Sequence, residues 1–277
     1  MSGGLKYSVL MSVYDGEKPE FLRESIQSML NQTVATDDFV LICDGALRDD
    51  LNKVINEMQK KMAQKMRVFR LPENRGLGSA LKFGVEKCKN ELIARMDSDD
   101  LSVKDRIENQ LAVFDKMDVD VVGSNVVEYD EQMQKKCGVR SVPEANVDIV
   151  KYAKRRNPMN HVTVCFRKSA VLAVGNYEQM QYFEDYYLWA RMIKNGFKFY
   201  NIQKSLVKVR GGSSMIKRRG GVKYIIATAR FQNALRRSGV ISCFDEIMNI
   251  IVRSAVSLCP RTLRSVFYAK MLRSNDA

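Results

Sequence analysis

The sequence predicts an α/β chain: a mostly parallel central sheet flanked by helices and continued by a helical C-terminal extension. Two patterns in its 277 residues carry that expectation. Over the first hundred residues, short runs rich in apolar and β-branched side chains alternate with stretches whose apolar residues recur every three or four positions, the mark of βαβ units. Beyond Gly221 the helical spacing dominates. A hydrophobic content of 45% allows a substantial core, in one large domain or two small ones.

Taken in order, residues 7–13, 39–43, 67–71 and 91–96 are predicted as strands. Leu22, Ile26, Met29 and Leu30 place a helix after the first, and Leu51, Val54, Ile55, Met58 and Met62 a helix after the second. Leu77, Leu81, Val85 and Cys88 place a third, so three crossovers link four strands. A helix over 104–116 turns Ile107, Leu111 and Phe114 to one side, and a strand-like run covers 119–129. The rhythm is then irregular, with a helix over 147–156, a strand over 163–167, a helix over 184–195 and a strand over 197–209. Gly211, Gly212, Gly220 and Gly221 bracket a basic segment that reads as a mobile loop.

The net charge of +13 is uneven. From Lys217 onward there are twelve basic residues and three acidic ones, +9, which leaves +4 for the first 216. The tail is therefore the basic, partner-seeking region, or a helical hairpin with a solvated basic face. A nucleic-acid binder is disfavoured, since only the tail is strongly basic and it carries no RNA-binding motif. Cys43, Cys88, Cys137, Cys165, Cys243 and Cys259 form no C-x-x-C pair and read as reduced core thiols, which suits the cytosol. Residues 1–14 lack the pattern of a signal peptide, and no run reaches the roughly 18 uninterrupted apolar residues of a membrane-spanning helix.

Asp97-Ser98-Asp99-Asp100 ends the fourth predicted strand. Clustered acids raise one another's pKa unless a divalent cation or basic groups neutralise them, and alternate carboxylates such as Asp97 and Asp99 can share one ion. The carboxyl ends of strands in an open α/β sheet are also where ligands bind. Two other readings stand beside this one. Asp100, Ser102 or Asp105 could cap the following helix. Asp97, Asp99 and Glu108 have the spacing of an EF-hand loop, but Leu101 and Ser102 fill positions that need a ligand and the turn glycine.

Five motifs, in order, resemble the family 2 glycosyltransferases over residues 5–220: Tyr7-Ser8-Val9-Leu10-Met11-Ser12-Val13-Tyr14, Glu73-Asn74-Arg75-Gly76-Leu77-Gly78, Arg95-Met96-Asp97-Ser98-Asp99-Asp100, Glu184-Asp185-Tyr186-Tyr187-Leu188-Trp189 and Lys217-Arg218-Arg219-Gly220-Gly221. The nearest likeness is to bacterial exopolysaccharide and lipopolysaccharide enzymes. The resemblance implies a GT-A fold with a Rossmann-like sheet: a catalytic domain over 1–216, with a nucleotide-binding half (1–100) and an acceptor half (101–216), then a basic helical tail over 217–277. It implies inverting transfer from a nucleotide sugar, UDP-linked by family preference, to a hydroxyl of a growing lipid-linked glycan. Asp97 and Asp99 would hold Mn²⁺ or Mg²⁺ on the donor diphosphate. Asp44, after the second strand, would meet the base, with an Asp-Gly turn as the plainer reading. Arg75, Gly76 and Arg95 fall on the donor side, and Arg218 and Arg219 would clamp the diphosphate.

By the same resemblance Asp185 is the base, with Glu184 its positioning neighbour. Acids at a helix start are also ordinary capping, and the helix dipole lowers their pKa, so burial near Tyr182, Phe183, Tyr186 and Tyr187 must offset it. His161 would line the acceptor or metal site, or serve as a hydrogen-bonded structural residue. The amphipathic basic tail would reach an anionic membrane surface, placing the protein in the cytoplasm, peripheral at the inner face of the cytoplasmic membrane. A sugar-phosphate nucleotidyltransferase is the competing enzyme, but residues 11–18 lack its glycine-rich basic loop. A non-enzymatic basic binding protein leaves the acidic turn unexplained.

Overall fold

The computed structural model describes residues 4–211 and 221–259. Strands β1 (Tyr7–Val13), β2 (Asp38–Cys43), β3 (Met66–Arg70) and β4 (Leu92–Asp97) pair in the parallel order β3-β2-β1-β4. β1 and β2 are buried on both faces, which is why they read as unbroken apolar runs. Val9, Met11, Phe39 and Leu41 face helices α1 (Pro19–Leu30), α2 (Asp49–Met62) and α4 (Arg106–Lys116). Leu10, Val40 and Ile42 face α3 (Leu77–Lys87), α5 (Asn146–Tyr152), α6 (Lys168–Ala173) and α7 (Glu184–Lys194). α3 lies close against the sheet: a Cβ on Gly84 would stand 2.3 Å from Leu10 Cδ1.

Past β4 the sheet is mixed. β8 (Cys165–Arg167) lies antiparallel to β4, β6 (Val121–Tyr129) antiparallel to β8, and β9 (Phe199–Arg210) parallel to β6. β7 (Lys136–Arg140) pairs with β6, and two-residue β5 (Leu101–Ser102) pairs with the far end of β9. Because β5 follows the acidic turn directly, the end of β9 is brought back to it. β5, β7 and α6 were not expected from sequence, being too short to show a period. The strand expected over 163–167 opens as a 3-10 turn at His161–Thr163, and the helix expected over 147–156 stops at Tyr152.

Two tail helices follow, Val222–Arg237 and Cys243–Leu258. The first buries Tyr224, Ala227, Phe231 and Leu235 against the start of α7, with the Phe231 and Phe183 rings stacked at 4.4 Å. Val222 and Ile226 are exposed, because the packing stripe runs through Tyr224 and Ala227. Among the described residues no helix is long and apolar enough to cross a membrane. The cysteine expectation needs correcting: Cys43, Cys88 and Cys165 are core thiols, whereas Cys137 and Cys243 are exposed, one on the edge strand β7 and one at a helix start.

Candidate active site

Asp97 is the last residue of β4, and Arg95, two positions earlier, points to the same side, as strand alternation requires. The Arg95 guanidinium, only 2% exposed, grips both Asp97 oxygens, with Nη1 donating to Oδ2 at 2.7 Å and Nη2 to Oδ1. Ser25 Oγ donates to the Asp97 carbonyl at 2.6 Å, and Ser98 Oγ donates to the buried Glu17 carboxylate. Arg210, ending β9, closes the turn: Nε donates to the Asp99 carbonyl at 2.6 Å and its backbone amide to Asp100 Oδ1 at 2.8 Å. Its remaining nitrogens hold the Glu131 carbonyl and the Glu24 carboxylate, over the Phe21 ring.

Asp97, Asp99 and Asp100 each offer a ligand oxygen within 4.8 Å of the others. Burial first, then the charges of Asp97 and Glu17, push the Asp99 carboxyl up to about 7. Burial first, then the charges of Asp99 and Asp97, push Asp100 well above the usual carboxylate range. Arg95 opposes both shifts without cancelling them, so the turn's own cations do not suffice for all three acids to ionise together. An all-oxygen donor set whose acids need added positive charge to ionise together suits Mg²⁺ or Mn²⁺.

Asp44 follows β2, and its two oxygens accept from the amides of Arg75 and Gly76, each at 2.9 Å. It thereby ties the turn that opens α3 to the end of β2. Gly76 has φ +83°, and Gly45 has φ +91° with room for no side chain, since a Cβ would lie 2.8 Å from the Asn74 nitrogen. The Arg75 side chain pairs with Glu73 at 2.8 Å on the surface.

The starts of α3 and α7 abut: a Cβ on Gly78 would stand 3.0 Å from Glu184 Cγ. Burial, and then the neighbouring Asp185 charge, raises Glu184. Asp185 Oδ2 accepts from Asn157 Nδ2 at 2.6 Å. His161 Nε2 meets the Tyr177 hydroxyl at 2.9 Å, and its ring stands edge-on to Trp189. Burial and then Arg95 hold His161 well below its usual pKa, so it is neutral. The buried Tyr177 hydroxyl is raised by burial and further by both Asp185 and Asp97, with Arg95 opposing. One side chain thus lies within electrostatic range of both acidic motifs.

The family model for glycosyl transferase family 2 matches residues 8–172. The chain belongs to that family. It is 39% identical over 269 residues to the Escherichia coli UDP-Gal:alpha-D-GlcNAc-diphosphoundecaprenol beta-1,3-galactosyltransferase, covering 97% of each chain. It is 34% identical over 268 residues to the amylovoran biosynthesis glycosyltransferase AmsE of Erwinia amylovora, covering 95% of this chain and 98% of that one. In fold it superposes on Staphylococcus aureus TarS 1-349 in complex with UDP-GlcNAc, with TM-score 0.65 and 16% identity, over 98% of this chain and 74% of that one. The mannosyltransferase PcManGT of Pyrobaculum calidifontis, in complex with GDP-Man and Mn²⁺, gives TM-score 0.62 and 13% identity, over 98% and 81%. This glycosyltransferase therefore has the GT-A fold.

Within the family 2 enzyme, four residues of the site escaped sequence reasoning: Glu17, Asn157, Tyr177 and Arg210. Each acts on a partner distant in sequence, and no local pattern marks them. Arg218 and Arg219 lie outside the described residues.

Proposed function

We propose that this glycosyltransferase moves a hexose or N-acetylhexosamine from a UDP-sugar, with inversion, to a hydroxyl of a lipid-linked cell-surface glycan, with Mn²⁺ or Mg²⁺ as cofactor. The observation that carries the reading is the turn at the end of β4, where Asp97, Asp99 and Asp100 each offer a ligand oxygen within 4.8 Å of the others. The full-length likeness to a galactosyltransferase named for a diphosphoundecaprenol-linked substrate supports the substrate class.

Asp97, Asp99 and Asp100 would hold the cation, and Arg95 orients Asp97 for it. When bound, the metal supplies positive charge to the departing nucleoside diphosphate. Asp44 holds the Arg75–Gly76 turn toward the donor, and any base contact must use the lone pairs that the two amides leave. Asp185, oriented by Asn157, takes the acceptor hydroxyl's proton as that oxygen attacks the anomeric carbon. Glu184, buried against Gly78, sets the start of α7. Neutral His161 lines the acceptor side through Tyr177. Arg218 and Arg219 are assigned to the diphosphate by their motif alone. The basic tail brings the enzyme to the cytoplasmic face of an anionic membrane.

The test is a panel of UDP- and GDP-sugars, UDP-galactose first, offered with an N-acetylglucosamine-diphosphate-lipid acceptor in the presence of Mn²⁺ or EDTA. Transfer should require a UDP-sugar and the metal, and Asp99→Asn should remove it by withdrawing several kcal/mol of transition-state stabilisation. Full turnover in EDTA, or by Asp99→Asn at saturating Mn²⁺, would overturn the metal assignment.

A further inference from the structure

The second tail helix is amphipathic in the opposite sense to a solvated surface helix. Toward the protein it turns polar side chains. Asn249 Nδ2 donates to the Lys154 carbonyl and to Gln232 Oε1, Arg253 Nη2 donates to the Arg155 carbonyl, Glu246 pairs with Arg236 at 2.5 Å, and Ser257 is buried. Outward it turns Phe244, Ile247, Met248, Ile251, Val252 and Leu258, from 41% to 72% exposed. The first five recur at intervals of three and four, and Leu258, two turns past Ile251, falls on the same side, so they form one stripe along the helix. Its Ser242 capping box and the contacts on its polar side hold the helix in register, so the stripe is a formed surface. An unburied apolar stripe of this length marks an interaction site.

The rim says what chemistry covers it. Exposed Lys154 and Arg155 lie beside the helix, where their charges add to the Ser242 hydroxyl in lowering the Asp245 carboxyl. Arg236 and Arg237 end the neighbouring tail helix. A second copy of the chain would bring the same basic rim against this one, at a net charge of +13 each. An anionic bilayer accepts both features, taking the stripe into the headgroup boundary and the cations at the phosphates.

The fastening of the helix points toward the chemistry. The Lys154 and Arg155 carbonyls, which it holds, lie three and two residues before Asn157, which holds Asp185. Arg253 also lies over Phe183, the residue before Glu184 and Asp185, and Phe183 stacks on the first tail helix. The stripe and the proposed base are thus carried by the same two segments.

We propose that the stripe of Phe244, Ile247, Met248, Ile251, Val252 and Leu258 seats the enzyme on an anionic lipid surface and thereby presents the Asp185 side of the site to acceptors held in that surface. The first half stands on the helix alone; the second rests on the lipid-linked acceptor proposed above.

The full-length protein should sediment with phosphatidylglycerol-rich vesicles, less so at high salt, and weakly with phosphatidylcholine vesicles. Ile247→Asn with Ile251→Asn, and Ile251→Asn alone as the milder variant, should weaken vesicle binding, the pair by about tenfold or more. Neither should lower the melting temperature or change Mn²⁺-dependent transfer to a detergent-free, water-soluble acceptor, while transfer to a vesicle-held acceptor should fall with binding. Lys154→Glu with Arg155→Glu should weaken binding to the anionic vesicles alone. Wild-type sedimentation by the paired variant would overturn the docking face. So would a wild-type dimer in analytical ultracentrifugation that the paired variant converts to monomer, since a second copy would then be the occupant. Vesicle binding lost as described, with no transfer to any acceptor by either protein, would sink the lipid-linked reading and leave the docking surface standing.

Discussion

Arg95→Met removes a guanidinium that is 2% exposed and leaves Asp97, 34% exposed, without its two-point partner. Breaking a buried ion pair from one side costs about 3–5 kcal/mol. Water reaches a third of Asp97 and can rehydrate it, so the expected loss is nearer 2–3 kcal/mol. Arg95 also lowers both Asp99 and Asp100, so its removal leaves three clustered acids with less to oppose them. For a chain of this size the melting temperature should fall by roughly 5–10 °C in EDTA at mildly alkaline pH. Saturating Mn²⁺ should recover more in the variant than in wild type, because a cation on the turn replaces part of the lost charge. The assay is calorimetry or urea unfolding with and without Mn²⁺, run as a double-mutant cycle with Asp97→Asn. A coupling energy within about 0.3 kcal/mol of zero, or an equal Mn²⁺ effect in both proteins, would refute the idea that Arg95 is the counterion of this turn.

Asp185→Asn keeps the shape of the site and removes the base, so kcat should drop roughly 10²- to 10⁴-fold with donor affinity unchanged; joint loss of donor binding would move Asp185 to the donor side. A pH series probes the turn itself. The Asp99 carboxyl is raised in the fold to about 7, so the metal-free native state keeps a proton that the unfolded chain has released, and this contribution to stability is lost as pH rises through about 7. The metal counters that loss and competes with protons below it, so the Mn²⁺-induced rise in melting temperature should grow from about pH 5.5 to about pH 8, and a flat response would exclude Asp99 as a ligand. Gly84→Val should destabilise by about 2–3 kcal/mol, because the new Cβ meets Leu10 Cδ1 at 2.3 Å in a filled core; an unchanged melting temperature would show that α3 can lift off the sheet.

Much of the first hundred residues was legible in the chain. β1, β2 and β4 are buried on both faces, so their sequences had to be continuous apolar runs, and the helices between them had to repeat apolar residues at three and four to cover the sheet. The acidic turn was visible because it stops an apolar run with four polar residues, three of them aspartates. The part of the sheet beyond the acidic turn was less legible. β5, with two residues, and β7, with exposed or half-buried ones, show no period, and each exists only because a longer strand offers it an edge.

Which acid has which partner was decided by the tertiary structure. Arg95 and Asp97 are local, two apart on a strand, but Arg210 reaches Asp99 and Asp100 only because β9 returns beside β5. Asp44 carries the amides of Arg75 and Gly76, and Asp185 the amide of Asn157, through hydrogen bonds whose partners sit on separate elements. The tail shows the limit most directly. Its spacing announced amphipathic helices, but in Cys243–Leu258 the polar stripe faces the protein and the apolar stripe faces out. Periodicity specifies that a helix has two faces; which one turns inward depends on the groups waiting at the surface it meets, and those come from the rest of the fold.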